Sequence, residues 1–179
     1  MDINFSRSAD FTLMDVLGLY TDAQGMNWSD GVSQQQYEDW CKKNHSPAQD
    51  IRAVSWTPTK KQIMGELYWL PNCRLMPPGM DYLFFDAAQN LSVVDAIKIL
   101  QLTVAAPTTG MIDDATKAQF AKLVLPLTAD FVNAFCDAHE AYFANLVAAH
   151  PANEAKLLHF WKNRTAHERV NAVTILKGA

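Results

Sequence analysis

Pro77-Pro78-Gly79-Met80-Asp81-Tyr82-Leu83-Phe84-Phe85-Asp86-Ala87-Ala88-Gln89-Asn90-Leu91 is the stretch from which the fold is read. Pro77-Pro78-Gly79 punctuates the chain, and Met80, Leu83, Phe84, Ala87, Ala88 and Leu91 then recur at helical spacing. This is the most apolar helix of the sequence and is expected to be the central one. Asp86 lies inside its apolar run, where a carboxylate needs a partner.

Helical period continues on both sides. Upstream, Leu13, Val16, Leu17 and Tyr20 give one apolar face over 11–20, followed by a polar, aperiodic stretch, Thr21 to Gly31. Ser33 caps a short helix with Tyr37, Trp40 and Cys41 inside, and Thr57-Pro58 opens another with Ile63, Met64 and Leu67, ending near Tyr68-Trp69-Leu70-Pro71. Downstream, Ser92 caps a helix with Asp95 at its third position and Ile97, Leu100 and Val104 inward. Ala105 to Gly110 is a loop. Asp113 or Asp114 starts a helix carrying Phe120, Leu123 and Val124, closed by Pro126. Thr128 opens the longest helix, with Phe131, Phe135, Ala138, Tyr142 and Leu146 on one face. Asn153 caps a short helix with Leu157, Leu158 and Trp161, and Thr165-x-x-Glu168 caps the last. Strand alternation is confined to Arg52-Ala53-Val54-Ser55-Trp56. The expected class is all-α, without internal repeats.

Composition narrows the function. The 179 residues are 49% hydrophobic and 19% charged, enough for one compact core or a lobe with an appendage. The net charge of −4 and the absence of basic runs argue against nucleic acid, whose phosphates reward clustered Lys and Arg. Lys42-Lys43 and Lys60-Lys61 read as solvated helix faces. No segment is apolar enough to span a bilayer. The first residues lack a basic-then-apolar signal, so synthesis in the cytoplasm is expected, with any external site reached through a holin, a virion or a secretion machine. Cys41, Cys73 and Cys136 form no CxxC, and the five histidines show no HExxH spacing. Buried free thiols are expected, with no metal and no cofactor.

The segment Tyr82 to Asn90 is similar to the "FDAAVN" segment of the muramidases of glycoside hydrolase family 108. Ala96-Ile97-Lys98-Ile99-Leu100-Gln101 follows it as that family's "AIKxLQ" does. Tyr68-Trp69 and Met76-Pro77-Pro78-Gly79 stand where the family has a "YW" and a "LP-G" turn. Thr109-Gly110-Met111-Ile112-Asp113-Asp114-Ala115-Thr116 partly matches its "DGxIGPxT" turn. His139 to Leu146 and Trp161-Lys162-Asn163-Arg164 echo its closing motifs. The order and spacing of the series, over nearly the whole chain, carry the resemblance. It implies a lysozyme-like helical lobe over 1–91 and a helical peptidoglycan-binding-like segment over 92–179, packed as one unit.

The resemblance fails at one place. The family's general acid stands in an "EGGY" before a "YGIT/S" turn. Asp30-Gly31-Val32-Ser33 matches the turn, but matching Gly18 and Tyr20 puts Leu17 at the glutamate's position. No glutamate occurs anywhere from Phe11 to Trp28. Glycoside hydrolysis needs a proton donor and a group that stabilises an oxocarbenium-like transition state, and leucine supplies neither. Asp15 lies about 200° round the helix from Leu17. Asp22, in the following loop, is the better substitute, and Asp86 the second, set against a structural role for Asp86 within its helix.

For sugar binding the resemblance points to Tyr20, Trp28, Tyr68 and Trp69, whose rings stack on sugars or, at a helix end, close the core. Asn90 is either a sugar ligand or a helix cap. The preferred reading is a muramidase-like chain without hydrolysis, a peptidoglycan-binding or structural component of a virion, baseplate or secretion assembly. The alternatives are an active hydrolase with a substituted acid, and a protein-interaction module on the same scaffold.

Overall fold

The computed structural model describes residues 3–14, 18–21, 25–54, 58–74, 76–149 and 158–178. Among the described residues the chain is all-α with one small antiparallel sheet, and it forms two compact units, Met1–Pro71 and Asn72–Ala179.

In the first unit, α1 (Ile3–Met14) precedes β1 (Leu19–Thr21), β2 (Asn27–Ser29) and β3 (Val32–Ser33), then α2 (Gln34–Lys43). The helix expected to run to Tyr20 gives way to a strand, since Gly18 takes a left-handed φ of 68° and Leu19 is already extended. The three strands pair in the order β1-β2-β3, with β2 inside the stretch that looked aperiodic and β1 and β3 at its two ends. Each is two or three residues long, too short for alternation to show. The expected strand is instead a 3₁₀ turn, Ile51–Ala53, capped by Asp50; residues 55–57 lie outside the described residues.

Ser33 caps α2 as expected, exchanging hydrogen bonds with Gln36 in a capping box. The helix α3 (Pro58–Met64) continues as a π-helical run, Gly65–Cys73. Phe5 of α1 lies so close to Gly65 that a Cβ there would stand 3.0 Å from the ring. The same ring meets Trp69 at 5.4 Å between centroids.

The second unit is built round α4 (Met80–Asn90), in which Met80 through Gln89 are all buried. A helix apolar on one face only would leave its polar face wet; here α5 (Val93–Thr103), α7 (Ala129–Ala149) and α8 (Leu158–Lys177) pack against it. Burial of Leu83, Phe84 and Phe85 stabilises by about 1.5–3 kcal/mol each. Gly79 begins α4 at φ 89°, with Leu176 filling the space a Cβ would need.

Ser92 caps α5 through the Asp95 N–H. Its inner face is Ala96, Ile99, Leu100 and Gln101, rotated from the expected Ile97, Leu100 and Val104. Gln101 is the reason. Its amide donates to Thr109 Oγ1, the Met111 carbonyl and Thr116 Oγ1, and accepts from the Gly110 N–H at 2.9 Å, so one buried side chain ties down the whole 109–116 turn. Asp113 caps α6 (Asp114–Phe120). Val124, expected inside, is 81% exposed because α6 ends at Phe120.

On α7 the buried residues are Val132, Phe135, Cys136, His139 and Phe143 rather than the Phe131–Ala138–Tyr142–Leu146 face. Thr165 is no cap. The helix α8 runs unbroken through it, and its hydroxyl bonds to the carbonyls of Trp161 and Lys162 and to Glu140. The Asn153 cap lies outside the described residues.

Candidate functional site

In the first unit the sheet brings the sequence-predicted residues Tyr20 and Trp28 together as direct cross-strand partners. Trp28 is half-buried; of Tyr20 only the backbone is described. Leu17 and Asp22 lie outside the described residues. Tyr68 is buried and its hydroxyl accepts from Gln36 Nε2 at 2.7 Å. Trp69 is 1% exposed and belongs to the core with Phe5.

The turn between β2 and β3 is a two-residue hairpin, with Asp30 at φ 50° and Gly31 at φ 77°. Asp-Gly is the pair that a tight turn with two positive φ values selects. The Asp30 N–H donates to the Gly18 carbonyl at 3.0 Å, which ties the turn to the residue following position 17. Lys60 donates from Nζ to Asp30 Oδ2 at 2.7 Å and to Ser29 Oγ at 2.5 Å. Its side chain is 2% exposed, so Lys60 is no solvated helix face. The signal was present: Lys60, Ile63, Met64 and Leu67 stand at i, i+3, i+4 and i+7. A charge on that apolar stripe requires a counter-charge, which the part-buried Asp30 provides.

Asp86 and Asn90 belong to the second unit. Arg164 grips Asp86 with Nη2 on Oδ1 at 2.7 Å and Nε on Oδ2 at 3.1 Å, both side chains at most 2% exposed. With both oxygens held by a guanidinium, Asp86 has the geometry of a structural ion pair. Asn90 Nδ2 donates to the Asp86 carbonyl at 2.6 Å, one turn back, as a helix-end bond.

One turn beyond Arg164, Glu168 Oε2 meets His139 Nδ1 at 3.0 Å with neither side chain exposed, and the Cys136 thiol approaches the same oxygen at 4.0 Å. His139 stacks on Phe143, which stacks on Trp161. Sequence reasoning expected Cys136 buried and left His139 as core or surface, and it missed their shared partner Glu168 because that residue lies 32 and 29 positions away. Burial raises the Glu168 carboxyl above the ordinary glutamate range; His139 beside it and Arg164 pull the other way, and Asp86 adds to the rise.

That shift has a sign. A carboxyl raised on folding contributes stability that is full below the ordinary glutamate pKa and lost as pH rises through its folded value. Glu168→Gln, which carries no charge at any pH, should therefore gain on the wild type as pH rises from the ordinary glutamate range toward the raised folded value. Parallel thermal melts across that range check this; a constant gap between the two proteins contradicts it.

A cavity of about 220 Å³ lies in the second unit, lined by Met76, Pro77, Met80, Phe120, Leu123 and Leu125. Its lining carries no ionisable group and cannot move a proton. The three cysteines are free and buried, and burial raises the thiols of Cys73 and Cys136. Among the described residues, no three His, Cys, Asp or Glu side chains cluster to hold a metal ion, and no helix is long and apolar enough to cross a membrane.

No family model and no curated protein matches the chain. Among solved structures, that of Brucella abortus SagA is similar in fold, with a TM-score of 0.72 at 21% identity over 97% of this chain and 95% of that one. The all-α class expected from the sequence is the class the chain has, and its fold is shared with SagA.

Proposed function

We propose that the chain is a peptidoglycan-binding or assembly protein on a muramidase scaffold that no longer hydrolyses glycan, working in a virion, a baseplate or a secretion assembly. In this reading 1–91 corresponds to the muramidase-like lobe and 92–179 to the peptidoglycan-binding-like segment. The observation that carries it is the lack of any glutamate from Phe11 to Trp28, with Leu17 where the resemblance requires the acid. The fold shared with SagA and the ordered series of motifs support the scaffold. Asp86 offers no substitute acid while Arg164 holds both its oxygens. Tyr20 and Trp28 are the proposed sugar-facing residues, since Trp69 is committed to the core.

Loss of a general acid typically removes about two to four decades of rate. Muropeptide release from purified peptidoglycan should therefore stay at background for the wild type while an active muramidase run alongside releases product. Co-sedimentation with the same sacculi should retain the protein. Release that disappears in Asp22→Asn would overturn the non-hydrolytic reading in favour of a substituted acid.

A further inference from the structure

We propose that Asp30 is a ligand-contacting carboxylate, its Oδ1 accepting hydroxyl or amide donors of an N-acetylated sugar chain, with Lys60 as its positioning residue. The inference rests on the glycan-binding reading above and names the part of the sheet that makes the contact. Lys60 and Ser29 both engage Oδ2, whereas none of the described residues engages Oδ1. The Asp30 side chain remains 23% exposed while the lysine that anchors it is almost wholly covered. The turn itself needs no lysine, since Asp-Gly satisfies its backbone unaided. A buried ammonium is costly, and here it fixes one carboxylate oxygen so that the other points in a set direction.

The pair is neutral overall. It therefore suits a neutral, donor-rich ligand better than a free cation or anion, and an ionised oxygen makes the stronger hydrogen bond to such donors. Trp28, two residues earlier and half-buried, offers a ring edge or face on the same hairpin. The Asp30 N–H bond to the Gly18 carbonyl holds this turn against the start of β1. Asp30 is thus assigned as a hydrogen-bond acceptor for the bound sugar, with Lys60 on its other oxygen.

The test is a titration of the intact protein with the hexamer of β-1,4-linked N-acetylglucosamine, followed by amide chemical shifts and by calorimetry. Shifts at Asp30 and Gly31 are expected on saturation. Asp30→Asn alone leaves the lysine buried without its partner, so the decisive variant is Asp30→Asn with Lys60→Met, checked by its melting curve. Its affinity for the hexamer should fall about tenfold or more. Saturable binding with no shift at Asp30 and Gly31, or with undiminished affinity in a folded double variant, overturns the role of Asp30 and leaves glycan binding standing. No binding of the hexamer or of sacculi by the wild type overturns the glycan reading itself.

Discussion

Replacing Arg164 by methionine should destabilise the second unit by about 3–5 kcal/mol, a large share of the roughly 5–15 kcal/mol that holds a domain of this kind together. The reason is desolvation. Asp86 sits on the central helix with its carboxylate at most 2% exposed, and both oxygens are satisfied by one guanidinium. Without Arg164 the carboxylate keeps its burial and loses its counter-charge. Glu168, one helical turn away and already raised by burial, loses a cation that favoured its ionised form. Removing both members is a different experiment. Asp86→Leu with Arg164→Met exchanges a buried ion pair for apolar side chains, an exchange that is often neutral or stabilising. Urea titrations followed by far-UV circular dichroism on the two single variants and the double complete the cycle. A loss under about 1 kcal/mol for Arg164→Met shows that water reaches Asp86 and that the pair is not the anchor described here.

Trp69→Ala should cost the first unit about 3–5 kcal/mol, the range for removing a large aromatic from a packed core. Trp69 is 1% exposed and packs obliquely on Phe5, whose ring reaches in over Gly65. Deleting the indole leaves a void that this close approach prevents from collapsing, since the Phe5 ring already lies against Gly65. Thermal unfolding monitored by near-UV circular dichroism reads the loss. The comparison variant is Trp28→Ala, where a half-buried ring on a short strand should cost clearly less. Equal losses at the two positions contradict the assignment of Trp69 to the core and of Trp28 to the surface of the sheet.

Much of the architecture was legible because it is local. Helix caps at Ser33, Ser92 and Asp113, the proline at the start of α3 and the apolar run of α4 each act within a few residues, so short windows of sequence determine them. The lack of glutamate from Phe11 to Trp28 is likewise a property of the sequence alone. Two local signals were not carried through: the turn at Asp30-Gly31 was read without its flanking strands, and Lys60 was read as solvated. Asp30-Gly31 marks a hairpin, and Lys60 sits on an apolar stripe; both point to the sheet and to the ion pair that anchors it.

What only the tertiary structure decided concerns partners distant in the chain. Asp86 and Arg164 are 78 residues apart, and Glu168 and His139 are 29 apart. No periodicity couples them, and α7 offers two apolar stripes of similar quality until α8 covers one. Thr165 and Glu168 satisfy the spacing of a capping box yet lie inside a continuous helix, because Glu140 and His139 on α7 take their side chains. The sequence by itself determined where helices begin and that no glutamate stands between Phe11 and Trp28, since those depend on neighbours in the chain. The structure decided which carboxylates are buried in ion pairs and which oxygen of Asp30 Lys60 and Ser29 engage, since those depend on burial and on counter-charges brought from far along it.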